Sequence, residues 1–113
     1  EEGVFENVVA VGEAFQVGLR ALTDHPMIGE ARGLGLMGAL ETVADKKTKE
    51  SFSGDLRIGE RIAQEARDRG FIIRPLGSSI VLAPPFISTR TQIEDLLAAL
   101  KDVLDVVYKQ VKR

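Results

Sequence analysis

Residues 71–85, FIIRPLGSSIVLAPP, constrain the fold of this chain more than any other segment. Two short apolar runs flank the sequence LGSS, which is the pattern of an antiparallel hairpin with a glycine turn. Proline has no N–H to donate to a strand ladder, so Pro84 and Pro85 mark the end of the second strand. The segment therefore predicts a strand, a turn and a second strand.

Two segments before this hairpin carry apolar residues at helical spacing. The first, residues 3–22, ends before Pro26, because the residue that precedes a proline is pushed out of the helical region. Its apolar positions are Val4, Val8, Val11, Phe15, Leu19 and Leu22. The second has a cap candidate in Ser53 or in the Gly-Asp pair that follows, and it ends at Gly70. Its apolar side consists of Ile58, Ile62 and Ala66.

A third helix follows the hairpin. Thr89 with Gln92, or Thr91 with Glu94, has the spacing of a capping box, in which two side chains satisfy the first backbone N–H groups of a helix. A long apolar stripe follows and predicts a helix that packs along the rest of the domain. The stripe consists of Ile93, Leu96, Leu97, Leu100, Leu104, Val107 and Val111.

The glycine-rich residues 28–43 complete the predicted fold. Glycines at 29, 33, 35 and 38 argue against a helix, so we predict one extended strand with a glycine-permitted bend. The element order is then helix, strand, helix, strand, strand, helix. It predicts a single α+β domain over residues 1–113, with a three- to four-stranded, mainly antiparallel sheet and helices packed on one face.

Composition excludes several classes of function. A net charge of −2 gives no strong attraction to nucleic acid or to an anionic membrane, and no apolar run is long enough to span a bilayer. The absence of cysteine excludes disulfides, thiol catalysis and cysteine metal sites, and it fits a reducing cytoplasm. The single histidine, His25, lies in a helix-terminating turn, and we assign it no catalytic or metal-binding role.

Gly33, Gly35 and Gly38 match the dinucleotide-binding pattern G-x-G-x-x-G, and Asp55 lies near the position of a ribose-binding acid. That site needs a buried strand before the glycines and a helix N-terminus directly after them. Neither is evident in the sequence. We therefore favour a structural reading, in which the glycines permit a bend and a close backbone contact, over the nucleotide-binding alternative.

Arg74 is the strongest candidate for a binding residue. Strand alternation places Phe71 and Ile73 on one face and Ile72 with Arg74 on the other. Its planar guanidinium at a strand end suits a carboxylate. From the residues alone, the favoured interpretation is a solvated surface arginine whose stem covers the core, and carboxylate binding is the alternative.

Taken in order, these segments carry a family resemblance. ARGLGLMGALETVADKKT followed by RGFIIRPLGSSIVLAPPFISTRTQIEDLLAAL resembles the C-terminal small domain of class III, fold-type I, pyridoxal-phosphate-dependent aminotransferases. The shared order is R-G-x-G-L-M-x-A-x-E, then G-x-x-x-R-P-x-G, then A-P-P before a helix-starting threonine. The chain looks most similar to the branch that acts on amines and ω-amino acids with pyruvate as acceptor.

The resemblance implies a role for Arg74, which would bind the carboxylate of an amino or oxo acid and swing away when an apolar amine binds. Gly33, Gly35 and the two prolines at 84 and 85 would be structural only. Relatives often have an aspartate where this chain has Ser78, so any ion pair of that aspartate would be absent here.

The resemblance also implies that this is a fragment of a longer chain. The lysine that binds pyridoxal phosphate and the phosphate site would lie in a missing large domain, since Lys46, Lys47 and Lys49 occupy a charged loop. The full-length protein would be a cytoplasmic homodimer that uses small amine and oxo acid substrates. The fragment alone would bind no cofactor and would be inactive. The alternative is a free-standing α+β module that binds a small acid or dimerises without chemistry.

Overall fold

The computed structural model describes residues 4–84 and 89–111, and the side chains within these ranges except those of residues 4–8 and 55. Three helices and four strands follow one another in the order α1, β1, β2, α2, β3, β4, α3. Their bounds are Val4–Ala21 (α1), Ile28–Leu34 (β1), Met37–Thr42 (β2), Ile58–Asp68 (α2), Arg74–Leu76 (β3), Ser79–Leu82 (β4) and Arg90–Val111 (α3). Short 3-10 turns occupy Leu22–Asp24 and Gly54–Leu56.

The strands form one antiparallel sheet in the order β1-β2-β4-β3. Leu40, Ile80 and Leu82 of the two central strands are almost fully buried, whereas the alternating Ala39 and Val81 are only half-buried. The buried side chains form one core with apolar residues of all three helices. The predicted fold class is therefore confirmed. No helix within the described ranges is long and apolar enough to cross a membrane.

The single bent strand predicted for residues 28–43 is wrong, because this segment forms a hairpin. Leu34 pairs with Met37, so only Gly35 and Leu36 form the loop. Gly35 has a φ of +60°, a left-handed conformation that L-residues rarely adopt. A two-residue loop with glycine first reverses the chain without splaying the strands. The β3–β4 hairpin was predicted, and it repeats this design with a φ of +62° at Gly77.

Helix α1 packs closely against the tip of the first hairpin. The buried Gln16 donates hydrogen bonds of 2.9 Å from Nε2 to the carbonyl oxygens of both Gly35 and Met37. A Cβ on Gly12 would lie 3.3 Å from the backbone of Gly35, and a Cβ on Gly33 would lie 2.5 Å from the carbonyl oxygen of Met37. The glycines thus allow helix and hairpin backbones to approach, as the structural reading of the motif predicted.

The signals at Gly70 and at the start of α3 are confirmed, and so is the end of β4, whereas the cap predicted for α2 is not. Gly70 ends α2 with a φ of +93°. At α3, Thr89 Oγ1 accepts from the Gln92 amide at 3.1 Å, and Gln92 Oε1 accepts from the Thr89 amide at 2.8 Å, which is a complete capping box. Pro84 follows β4, whereas Pro85 lies outside the described residues. The cap predicted for α2 is wrong, since Arg57 occupies the N-cap and makes no side-chain cap.

His25 joins the turn after α1 to helix α3. Its Nδ1 accepts a hydrogen bond of 3.1 Å from the Met27 amide, and its Nε2 lies 2.9 Å from Oδ1 of Asp105. The ring also meets Tyr108 edge-on, with 5.7 Å between ring centroids. Both ring nitrogens thus have hydrogen-bond partners, and they connect the turn after α1 to helix α3.

Substituting Gly33 tests the close packing of α1 on the first hairpin. We expect Gly33→Ala to lower the free energy of unfolding by about 1–3 kcal/mol, because the added methyl group forces backbone or Gln16 to move. Gly54→Ala is the matched control, because a Cβ there meets no atom within 4 Å, and its effect should stay within about 0.5 kcal/mol. Urea unfolding followed by circular dichroism measures both. Equal effects would contradict the proposed contact.

The His25 contact predicts a pH dependence of stability. Burial lowers the pKa of the His25 imidazole below 6.5, although the hydrogen bond to Asp105 opposes this shift. Between the two pKa values the unfolded chain binds a proton that the folded chain does not, so the free energy of unfolding should fall as pH decreases through 6.5. Urea unfolding between about pH 5.5 and pH 8 measures this slope. His25→Gln should flatten it, and an unchanged slope in that variant would contradict the assignment.

Candidate functional site

The helices cover one face of the sheet and leave the other exposed; we call the exposed side the open face. Strand alternation and register place ten residues on it: Glu30, Arg32 and Leu34 of β1, Met37, Ala39 and Glu41 of β2, Arg74 and Leu76 of β3, and Ser79 and Val81 of β4. Three large apolar side chains here are exposed, Leu34 by 86%, Leu76 by 70% and Met37 by 61%. This face therefore combines apolar surface with a small number of charged groups.

Arg74 lies at the edge of the open face. Register places Arg74 beside Val81, Val81 beside Ala39 and Ala39 beside Arg32, which makes one row across all four strands. At a strand spacing near 4.8 Å, the two arginines at the ends of this row are about 14 Å apart. The preceding Ile73 is 2% exposed and Ile72 is 78% exposed, so the predicted alternation is confirmed.

The guanidinium of Arg74 has no partner among the side chains that the structure describes. Four other arginines of these ranges form ion pairs: Arg32, Arg57, Arg69 and Arg90. Arg74 is exposed and forms no ion pair with a described side chain. Register places Arg74 beside Val81 on the open face, on the side of the sheet opposite the helix-packed core.

Glu41 is the centre of a polar cluster that the sequence analysis missed. Its Oε1 accepts a hydrogen bond of 2.6 Å from Ser79 Oγ, and its Oε2 accepts one from Ser78 Oγ. These two bonds lower the pKa of the Glu41 carboxyl below its usual value. Arg32 lies with Nη2 4.0 Å from Oε1 of Glu41, and its Nη1 is 3.0 Å from Glu30. The sequence shows only a glutamate at position 41 and two consecutive serines at 78 and 79. Their proximity follows from the pairing of β2 with β4.

Ser78, which follows the turn glycine Gly77, is part of this cluster. Besides its bond to Glu41, its carbonyl oxygen accepts from the amide of Thr42 at 2.9 Å and from Thr42 Oγ1 at 2.6 Å. An aspartate at this position would place a second carboxylate beside Glu41, and like charges repel. Serine instead provides a hydroxyl donor that the Glu41 carboxylate accepts.

The glycine motif does not have the geometry of a dinucleotide site. Gly33 and Gly38 pair with each other across the first hairpin, and the next α-helix begins only at Ile58. No helix N-terminus follows the glycines to receive a pyrophosphate. The side chain of Asp55 lies outside the described part. The nucleotide-binding alternative is therefore not supported.

The lysines do not suit covalent attachment of a cofactor. The described lysines, at 46, 47, 49, 101 and 109, are all exposed. Lys46 donates to the backbone carbonyl oxygens of Thr23 and His25, which ties its loop to the turn after α1. Within the described ranges, no group of three His, Cys, Asp or Glu side chains is placed to bind a metal ion.

Three comparisons place the chain among known proteins. An omega-aminotransferase of Paracoccus denitrificans superposes with a TM-score of 0.93 at 48% identity, over 98% of this chain and 25% of that chain. The PMP-bound aminotransferase of Vibrio fluvialis superposes with a TM-score of 0.93 at 45% identity, over the same shares of the two chains. A putrescine–pyruvate aminotransferase of Pseudomonas aeruginosa is 36% identical over 106 residues, which are 93% of this chain and 23% of that protein.

The extent of these matches shows which portion of its relatives this chain corresponds to. The chain spans about a quarter of the length of the relatives it matches, and it corresponds to their C-terminal portion. The family model of class III aminotransferases matches residues 1–104, nearly the whole chain. The predicted resemblance is thus confirmed: this chain belongs to the class III aminotransferases.

Proposed function

We propose that this chain is the C-terminal small domain of a longer, pyridoxal-phosphate-dependent aminotransferase. The longer protein transfers an amino group from an amine or ω-amino acid to an oxo acid such as pyruvate. Two findings support this proposal: solved neighbours include an omega-aminotransferase at 48% identity, and a curated relative uses putrescine and pyruvate according to its name. The match to about a quarter of each relative supports a missing large domain.

Arg74 binds the substrate carboxylate in this proposal. The observation that carries it is a guanidinium with no partner among the described side chains, on an exposed sheet face beside Val81 and Leu76. Such a group is available for a planar, bidentate contact with a carboxylate. A hydrogen bond to a charged group contributes about 1.5–3 kcal/mol, and more when water is excluded. Covering the apolar open face with another domain would exclude that water.

The cofactor belongs to the rest of the proposed protein. Relatives are solved with PLP and with PMP bound, but the described residues of this chain do not fit the group, because its described lysines are exposed and offer no buried attachment point. When bound, pyridoxal phosphate acts as an electron sink and carries the amino group. This chain contributes the carboxylate contact and part of the cleft wall.

The large domain of the same protein is the proposed partner of the open face. Leu34, Met37 and Leu76 are too exposed for an isolated surface of this kind to be favourable in water. Packing against a second domain would bury them and would bring Arg74 to the cleft between the domains. We further propose that the full-length protein is a cytoplasmic homodimer.

A chimera tests the role of Arg74. The chain replaces the matching C-terminal part of the Pseudomonas aeruginosa putrescine–pyruvate aminotransferase, and ping-pong kinetics give a separate kcat/KM for each substrate. We expect Arg74→Ala to lower kcat/KM for pyruvate by about tenfold or more, mainly through KM, because pyruvate carries a carboxylate. The value for putrescine, which carries none, should change by less than about twofold. Arg74→Lys should be intermediate, since it keeps the charge but loses the bidentate geometry.

Arg67→Ala is the matched control, since Arg67 is an exposed arginine on α2 that bonds only to Gln64 within the described part of the chain. It should leave both substrates unaffected. Equal losses for pyruvate and putrescine in Arg74→Ala would contradict the carboxylate role. Tight binding of pyruvate by the 113-residue chain alone would instead favour a free-standing small-acid-binding module.

A further inference from the structure

We propose that Glu41 is a positioning residue for Arg74. In this proposal its carboxylate fixes the β3–β4 turn to β2, and it thereby fixes the strand on which Arg74 lies. The inference rests on the proposed function of Arg74, and it adds a second residue, on another strand, to the carboxylate specificity of the site.

The contacts of Glu41 converge on one turn. Each carboxylate oxygen accepts one hydroxyl of two consecutive residues, Oε2 that of Ser78 and Oε1 that of Ser79 at 2.6 Å. The adjacent Thr42 binds the backbone of Ser78, since its amide and hydroxyl donate to the Ser78 carbonyl oxygen at 2.9 and 2.6 Å. Strand β2 thus binds the hydroxyl and the carbonyl oxygen of Ser78, which lies four positions after Arg74.

The strand of Arg74 has few other restraints. β3 has only three residues, Arg74–Leu76, all exposed, and it pairs with β4 alone at the edge of the sheet. On the helix side, a Cβ at Gly59 would lie 3.1 Å from Pro75 and from the carbonyl oxygen of Gly77, so α2 supports the hairpin from below. On the open face, the support comes from Glu41. The two contacts hold the hairpin from opposite faces.

The Glu41 carboxylate already has partners, so it does not compete for the Arg74 guanidinium. Two hydroxyl donors bind it, and Arg32 lies 4.0 Å away on its other side. An ion pair between Glu41 and the Arg74 guanidinium across β4 would therefore gain little. Arg74 stays available for an external carboxylate. A small displacement of such a binding group is enough to weaken orientation of the substrate.

The same chimera tests the inference. We expect Glu41→Ala to raise KM for pyruvate by about tenfold while kcat/KM for putrescine changes by less than about twofold. Glu41→Gln, which keeps an acceptor oxygen, should recover part of the loss. Glu94→Ala is the matched control, an exposed acid on α3 paired with Arg90, and it should leave both substrates unaffected. Glu41→Ala should have no further effect on pyruvate in the Arg74→Ala background, since both act through one guanidinium.

Amide hydrogen exchange of the chimera tests the role of Glu41 independently of enzyme activity. In Glu41→Ala, amides of the 74–79 hairpin should exchange faster, whereas amides of α3 should keep their protection. Replacing both serines by alanine, at 78 and 79, should reproduce this change. If Arg74→Ala raises KM for pyruvate but Glu41→Ala changes neither that value nor the exchange, the positioning role is wrong. If Arg74→Ala itself leaves pyruvate kinetics unchanged, the proposed function fails, and this inference fails with it.

Discussion

One-sided burial of the sheet is the constraint on which the rest of this structure depends. All three helices contribute to one core on the same face, so alternate residues of every strand must point to the opposite side. Leu40 and Ile80 are buried for this reason, and Val81 and Arg74 are left on the open face. The sheet face that the helices leave uncovered is thereby available for contact with another surface.

Two hairpins of the same design set the register of that face. Gly35 and Gly77 each provide the left-handed residue of a two-residue loop, so each strand pair can shift only if its loop changes. A slip of one residue would send Arg74 towards the helices and bring a core residue to the surface. The tight contact of Gln16 with the first hairpin and of Gly59 with the second secures both loops against the helices.

Charge on the open face is divided between neutralised groups and one available cation. Arg32 pairs with Glu30 and lies near Glu41, whose oxygens also accept two hydroxyl hydrogen bonds. Arg74, at the other end of the same row, has no partner among the described side chains. A guanidinium that already binds an internal acid gains less from an external one, so Arg74 is the more available of the two arginines on this face.

Local sequence predicted the helices, a capping box at the start of α3, the second hairpin and the side of the strand on which Arg74 lies. These features depend on spacing, on turn residues and on alternation. Of the two capping boxes that the sequence allowed, only the structure selected Thr89 with Gln92. Local sequence could not separate a bent strand from a hairpin at Gly35, since a glycine permits both and only the packing of α1 selects one. Nor could it find Glu41, because its partners at 78 and 79 are remote in the chain and meet it only through the pairing of β2 with β4. Tertiary structure alone decided which charges neutralise one another, because that depends on which strands become neighbours.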